Sequence, residues 1–269
     1  MTGASHGTGC KTVHVARIPD DQWQAARDPL PRMRPVAGPW ITVDAAYAGQ
    51  CALRQRLLDE RRSNVFYAPP DAGAACADLV AVMRETLSAD PRFGVEGKTV
   101  HTPDGRSLPL ETFEDLAGML AEDLVLIERR PEGHVLAAAI LCFPASWTLA
   151  EKAGKPLPAV HGPVESYTPQ IAARVDRLFD GVQPGRPLWR ANLHAYDDPS
   201  LFHPRTEGDP RPNAGPEAPW WRSERQTVLR LPRTRAVLFA IHTSLAPRRE
   251  AAGEDIRTAL AGSRPPPGW

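Results

Sequence analysis

Two stretches of this 269-residue chain carry the residue types that could do chemistry. In LCFPASWTLAEKAGKPLPAVHGPV, residues 141–164, an apolar run ends in Trp147, and one histidine, His161, follows between Pro and Gly residues. In SERQTVLRLPRTRAVLFAIHT, residues 223–243, Glu224, Arg225, Gln226 and His242 are spaced among apolar residues. A neutral imidazole is a good ligand for haem iron. One fixed imidazole and one polar-studded sheet face could together enclose a haem. Gly162 would give a flat ligand room and Pro163 would stiffen the ligand's backbone. On residue type alone, a lone histidine in a Pro-rich loop is as readily a turn residue.

The remaining candidates divide by strand geometry. Neighbours in a strand point to opposite faces, so only one of Glu224 and Arg225 can face a given pocket. Arg225 would polarise bound dioxygen or pair with a propionate. Glu224 would hold a substrate ammonium. A solvated ion pair is the ordinary alternative for both. His242 reads as a core histidine bonded to a carbonyl, as a distal donor or proton relay, or as the axial ligand in place of His161. The Arg190 fork suits a haem propionate. Trp147, Trp189, Trp220 and Trp221 supply aromatic mass that would wall a porphyrin or pack a core. His194, Asp197, Asp198 and His203 match no metal-triad spacing and read as a solvated turn.

These side chains need elements to position them. Residues 44–62 and 71–90 have helical apolar spacing behind Asp44 and Asp71, and residues 63–70 between them read as an extended link. A short hairpin is expected around 98–110, then a helix over 110–123. Residues 124–130, the turn PEG and residues 134–143 form a long hairpin. The second of its strands is apolar on both faces and therefore central. Helices are expected at 145–152 and 167–182, strands at 188–196, 225–231 and 236–243. Strands separated by a helical cluster indicate an α+β domain: an antiparallel sheet with helices on one face, plus an N-terminal helical annex. The expected organisation is a flexible N-terminus (1–29, loose through residue 20), the annex (30–95), the sheet domain (96–250) and a C-terminal tail (251–269).

Bulk composition restricts partners. Lys+Arg 32 against Asp+Glu 32 leaves no net charge to attract nucleic acid or an acidic membrane. No apolar run approaches the ~20 residues that cross a bilayer, and no secretory h-region precedes the fold, so a cytoplasmic protein is expected. Cys10, Cys51, Cys76 and Cys142 share no CxxC spacing, which argues against zinc or iron–sulfur sites. A thiolate role for Cys142 is less favoured than core packing. The 29 prolines cluster at 28–39, 203–219 and 264–269, which read as irregular chain.

FPASWTLAEKAGKPLPAVHGPV, the helix with ARVDRLFDGV, RPLWRAN, RSERQTVLRLPRTRAVLFAIHT and the earlier PLPRMRPV together resemble the family of haem-dependent oxidative N-demethylase-like proteins, over roughly residues 30 to 245. The resemblance implies a PAS-like fold holding haem b, with His161 as the axial ligand. It implies O2 activation to oxidise an amine or amino acid, by oxidative N-demethylation or by N-oxygenation. Electrons would come from an external donor, since the family's flavin and iron–sulfur centres reside in partner subunits and this sequence shows neither motif. His242 and Ser244 stand where the family pattern has Arg and Tyr, and Asn192 is followed by Leu193 where RNW is usual. These departures fall on strands expected to line the pocket and leave open whether dimethylamine is the substrate. A haem-based PAS gas or redox sensor and a non-catalytic haem-binding scaffold are the rival readings.

Overall fold

The computed structural model describes residues 12–27, 32–162, 168–209, 214 and 217–248. Pro163, Cys10 and the expected C-terminal tail lie outside the described residues, as do parts of the Pro-rich segments. The elements in chain order are α1 (Asp20–Ala26), β1 (Arg34–Pro35), α2 (Tyr47–Val65), β2 (Phe66–Tyr67), α3 (Gly73–Ala89), β3 (Gly94–Glu96), β4 (Thr99–His101), β5 (Ser107–Pro109), α4 (Leu116–Met119), β6 (Asp123–Arg130), β7 (Gly133–Ile140), α5 (Leu149–Lys152), α6 (Leu157–Val160), α7 (Pro169–Gly181), β8 (Leu188–Tyr196), β9 (Trp220–Arg230) and β10 (Val237–Pro247).

The chain is α+β. Seven strands form one antiparallel sheet in the order β1-β8-β9-β10-β6-β7-β2, and β3–β5 form a small second sheet. The long strands follow from β-branched and aromatic runs that suit a pleated surface. β7 is buried on both faces from Val135 to Ile140, as its unbroken apolar run predicts. The β6–β7 turn closes on Gly133 at φ 116°, a conformation open to a residue without Cβ. The β9–β10 turn closes through Leu231 N–H to Ala236 O at 2.8 Å and is pinned by α3. There Asp78 accepts from the Arg233 and Thr234 N–H groups at 3.1 and 2.7 Å.

Both faces of the sheet are covered. On one, Ala75, Leu79, Met83 and Leu87 of α3 lie at helical spacing and join Leu57 and Leu58 of α2 against Leu124, Leu126, Ala138, Ile140, Leu229 and Leu238. The annex and the sheet thus share one core. On the other, Phe179 of α7, Leu157 of α6 and Leu149 of α5 pack with Val125, Ile127, Leu136, Val228 and Val237.

Three expectations need correction. The chain before residue 20 is not loose where described: Val15 N–H bonds Leu245 O at 3.0 Å and Ile18 is buried. A helix, α1, then places the buried Trp23 edge-on to Trp221. The 110–123 segment is helical only over Leu116–Met119, because the chain is already extended at Leu120 and Asp123 opens β6. The extended link at 63–70 reaches the main sheet, where Phe66 and Tyr67 pair with Ile140 and Ala139.

Candidate functional site

A cavity of about 590 Å³ lies between the sheet and α6–α7, within the ~300–1,000 Å³ range of ligand pockets. Its floor is Val125, Ile127, Leu136, Val228, Phe239 and Ile241, and its opposite wall includes Leu157, Val160, His161, Val175, Leu178 and Phe179. Met33, Trp147, Arg174 and Arg190 complete much of the lining.

The arm that carries His161 is built by short-range rules. Residues 154–156 run beside the outer edge of β7: Gly154 N–H bonds Leu136 O at 3.0 Å, Leu136 N–H bonds Lys155 O at 3.1 Å, and Pro156 bridges Val135. Gly154 takes φ 72°, which a side chain would disfavour. Pro156 then precedes one turn of helix with Pro158 in its first positions, where proline's missing N–H costs nothing. His161 ends that turn at φ −99° and ψ 3°.

The ring state follows from its partner. The Leu157 carbonyl accepts the His161 backbone N–H at 3.0 Å and lies 2.9 Å from Nδ1. A carbonyl has no proton to give, so Nδ1 carries the hydrogen and the lone pair sits on Nε2. Burial holds the ring's pKa below its usual 6.5. The Leu157 carbonyl works against that shift, and the charges of Lys152 and Arg190 work with it. A neutral ring with Nδ1–H on a carbonyl is the state a metal-binding histidine adopts.

α7 closes the far side. Thr168 caps it through Ile171 N–H at 3.4 Å, Pro169 occupies its first turn, and Ile171, Val175, Leu178 and Phe179 form one apolar stripe. Its C-terminal end is fastened by Arg230, whose Nε donates to Val182 O at 3.0 Å and whose guanidinium also donates to Phe179 O. The buried His134 lies 2.8 Å from Asp176 on the same helix. Ile171, Val175 and Leu178 line the cavity yet are only half-buried.

The strand register sorts the predicted residues by face. Arg190 pairs with Gln226 and Gln226 with Ile241, so these share the cavity face. Asn192 and Glu224 follow on the same face, one pair further along. Arg190 and Trp147 join His161 in the cavity lining. Burial lowers the Arg190 pKa, an effect partly offset by Glu224. Arg174, also in the lining, was not singled out from the sequence. Its place in the α7 apolar stripe was the available signal.

Arg225 and His242 pair with each other on the opposite face, so the structure does not bring them to His161. Arg225 donates to Trp40 O at 3.0 Å and lies over Trp189, 4.8 Å from its ring centre. His242 is 1% exposed, and its Nε2 is 3.9 Å from Asp44. Neither ring nitrogen has a hydrogen-bond partner among the described residues, so the expected carbonyl bond is not made. Trp189 and Trp221 pack on that same face, and Trp220 packs at its edge against His14. Cys142 is sealed in the α2–α3 core, where burial pushes its thiol up to about 12, which removes it as a thiolate ligand. His203 and Asp198 are 3.7 Å apart, and no group of three or more metal-binding side chains forms among the described residues. Among the described residues, a Cβ on Gly162 would meet the Ala159 and Pro158 carbonyl oxygens at 3.5 and 3.8 Å, ordinary van der Waals distances.

Compared with known families, residues 34–263 match the model described as haem-dependent oxidative N-demethylase, alpha subunit-like. The chain belongs to that family.

Proposed function

We propose, taking family membership as the premise, that this protein binds haem b in the α6–α7 cavity and oxidises a small amine or amino acid with O2. The observation that carries the reading is the His161 ring, neutral and oriented by the Leu157 carbonyl in the wall of an apolar cavity. His161 would ligate the iron through Nε2. Arg190 would pair with a haem carboxylate, and Arg174 at the α7 side would take a second one. Haem supplies O2 binding and its reductive activation.

The chain's own groups define the rest. Val125, Ile127, Val228, Phe239 and Ile241 give the floor an apolar surface that excludes water and strengthens every charge interaction beside it. Trp147 closes one side of the lining. Nδ1–H of His161 stays on Leu157 O, which keeps the ring from turning and sustains its basicity as a ligand. Arg225, half-buried, and His242, buried, lie on the opposite face of the sheet and take no part in this reading. The electrons come from an external donor, in keeping with the alpha-subunit-like description of the family. The products are those of oxidative N-demethylation or N-oxygenation.

The test is an absorption spectrum of the protein reconstituted with haem, before and after dithionite and CO. The expected result is a histidine-ligated Soret band that His161→Ala abolishes or shifts and His242→Ala leaves in place. A protein that takes up no haem would sink the proposal. If haem is held, aerobic turnover of amines and amino acids with a reductant, scored for aldehyde and for hydroxylamine or nitro products, separates the two outcomes.

A further inference from the structure

Next to Arg190 in the cavity lining, β8 and β9 carry a directional chain of hydrogen bonds on the same sheet face. Arg190 Nε donates to Gln226 Oε1 at 2.8 Å, and Gln226 Nε2 donates to Glu224 Oε2 at 3.2 Å. Asn192 Nδ2 donates to the same carboxylate oxygen at 3.1 Å, and Asn192 Oδ1 accepts the Glu224 N–H at 3.0 Å. Arg222 Nε lies 3.6 Å from the other oxygen, Oε1. An ionised carboxylate only accepts hydrogen bonds, so Glu224 draws the NH2 groups of both amides towards itself. That turns Gln226 Oε1 to the Arg190 side. A flipped Gln226 would set NH2 against the Arg190 N–H and its carbonyl against a carboxylate, replacing two attractions by two repulsions. With Gln226 only 6% and Glu224 only 7% exposed, water cannot make up the loss.

We infer that Gln226 is a positioning residue for Arg190, and that Glu224 acts through Gln226 by fixing its amide orientation. This rests on the reading that Arg190 faces an anionic group of the bound haem. It also reassigns Glu224, expected from the sequence to hold a substrate ammonium. Its carboxylate already receives two amide donors and faces the Arg222 guanidinium, so its role is to order the side chains beside Arg190.

The hydrogen-bond chain is tested with haem-reconstituted full-length protein carrying Gln226→Leu, Gln226→Glu, Glu224→Gln and the exchange Glu224→Gln/Gln226→Glu. The readouts are the rate of haem transfer to apomyoglobin and the midpoint potential. A hydrogen bond to a charged group typically matters on the order of tenfold or more, so haem release should quicken on the order of tenfold in Gln226→Leu. The potential should move negative, because a loosely held Arg190 no longer stabilises the reduced state. Gln226→Glu sets two carboxylates side by side and should release haem at least as fast. In the exchange variant residue 226 still accepts from Arg190 and residue 224 still bonds both neighbours. Release should return to within about threefold of wild type on that argument. Gln226→Leu matching wild type in both readouts overturns the inference, as does an exchange variant no better than Gln226→Glu. If Gln226→Glu does not fold, Gln226→Leu and the exchange variant decide. A wild-type protein without a Soret band would instead reject the haem reading itself, so the two failures are distinguishable.

Discussion

On the proposed ligation by His161, haem uptake should weaken less between pH 8 and pH 6 than an ordinary imidazole would allow. An imidazole with the ordinary pKa of 6.5 is about 97% neutral at pH 8 and about 24% neutral at pH 6. Only the neutral ring can ligate iron, and apparent affinity scales with the competent fraction, so such a ring would lose about fourfold in affinity between these values. In the folded chain, burial holds the His161 pKa below 6.5 against the opposing pull of the Leu157 carbonyl. The ring therefore stays neutral further into acid, and the loss should be smaller than fourfold. The assay is a Soret titration of apoprotein with haem at pH 8, 7 and 6, with His161→Met, whose thioether can ligate but does not titrate, as the reference for all other titrating groups. A wild-type loss of fourfold or more, relative to that reference, refutes the tautomer and burial argument together. Stability of the apoprotein moves in a linked way. The unfolded chain takes up the proton first as pH falls, so the apoprotein loses stability below about pH 6.5 until the folded-state pKa is passed. His161→Gln should remove that loss in a thermal-denaturation series.

Two further perturbations probe the scaffold. Arg54 and Asp123 form an ion pair buried at 0% and 1% side-chain exposure, and Asp123 also accepts the Cys142 and Phe143 N–H groups at 2.7 and 2.9 Å. Arg54→Met strands that carboxylate and should cost about 3–5 kcal/mol in chemical denaturation; a cost under about 1 kcal/mol would contradict the pairing. Burial alone would raise the Asp78 carboxyl, but its hydrogen bonds from Thr234 and Arg233 together hold it below its usual range. Asp78→Asn should lower stability at pH 7, and the gap to wild type should narrow as acid protonates Asp78 below about pH 4. A gap that stays constant with pH would show that the carboxylate charge is irrelevant to the turn.

Much of the fold was legible because its signals are local. β8 runs over the residues expected from its pattern, and α7 follows from apolar positions repeating at three and four residues behind a Thr-Pro start. The β9–β10 hairpin was readable from its apolar arms and its turn, although both strands extend further than the arms suggest. What the pattern did not reveal was the face on which the cavity lies. Glu224 and Arg225 had to point apart, but helices cover both faces of β9, so nearly every residue from Trp221 to Arg230 is buried. Alternating polarity marks a face only when one side meets water. That is why His242 and Arg225 were grouped with His161 while the register separates them. α1 escaped for another reason: seven residues of chain with one stabilising tryptophan give too short a period to read.

The arm that holds His161 has a second consequence. β7 is among the most apolar strands, and its outer edge is met by β2 at Ala139–Ile140 and by residues 154–156 near Val135 and Leu136. An unpaired edge on such a strand would be a template for joining another copy of the chain. The segment that presents the imidazole therefore also covers this edge, so the placement of His161 and the protection of β7 rest on the same stretch, residues 154–161. Redesigning the arm around residue 161 would uncover that edge and favour self-association even where the new side chain is well chosen.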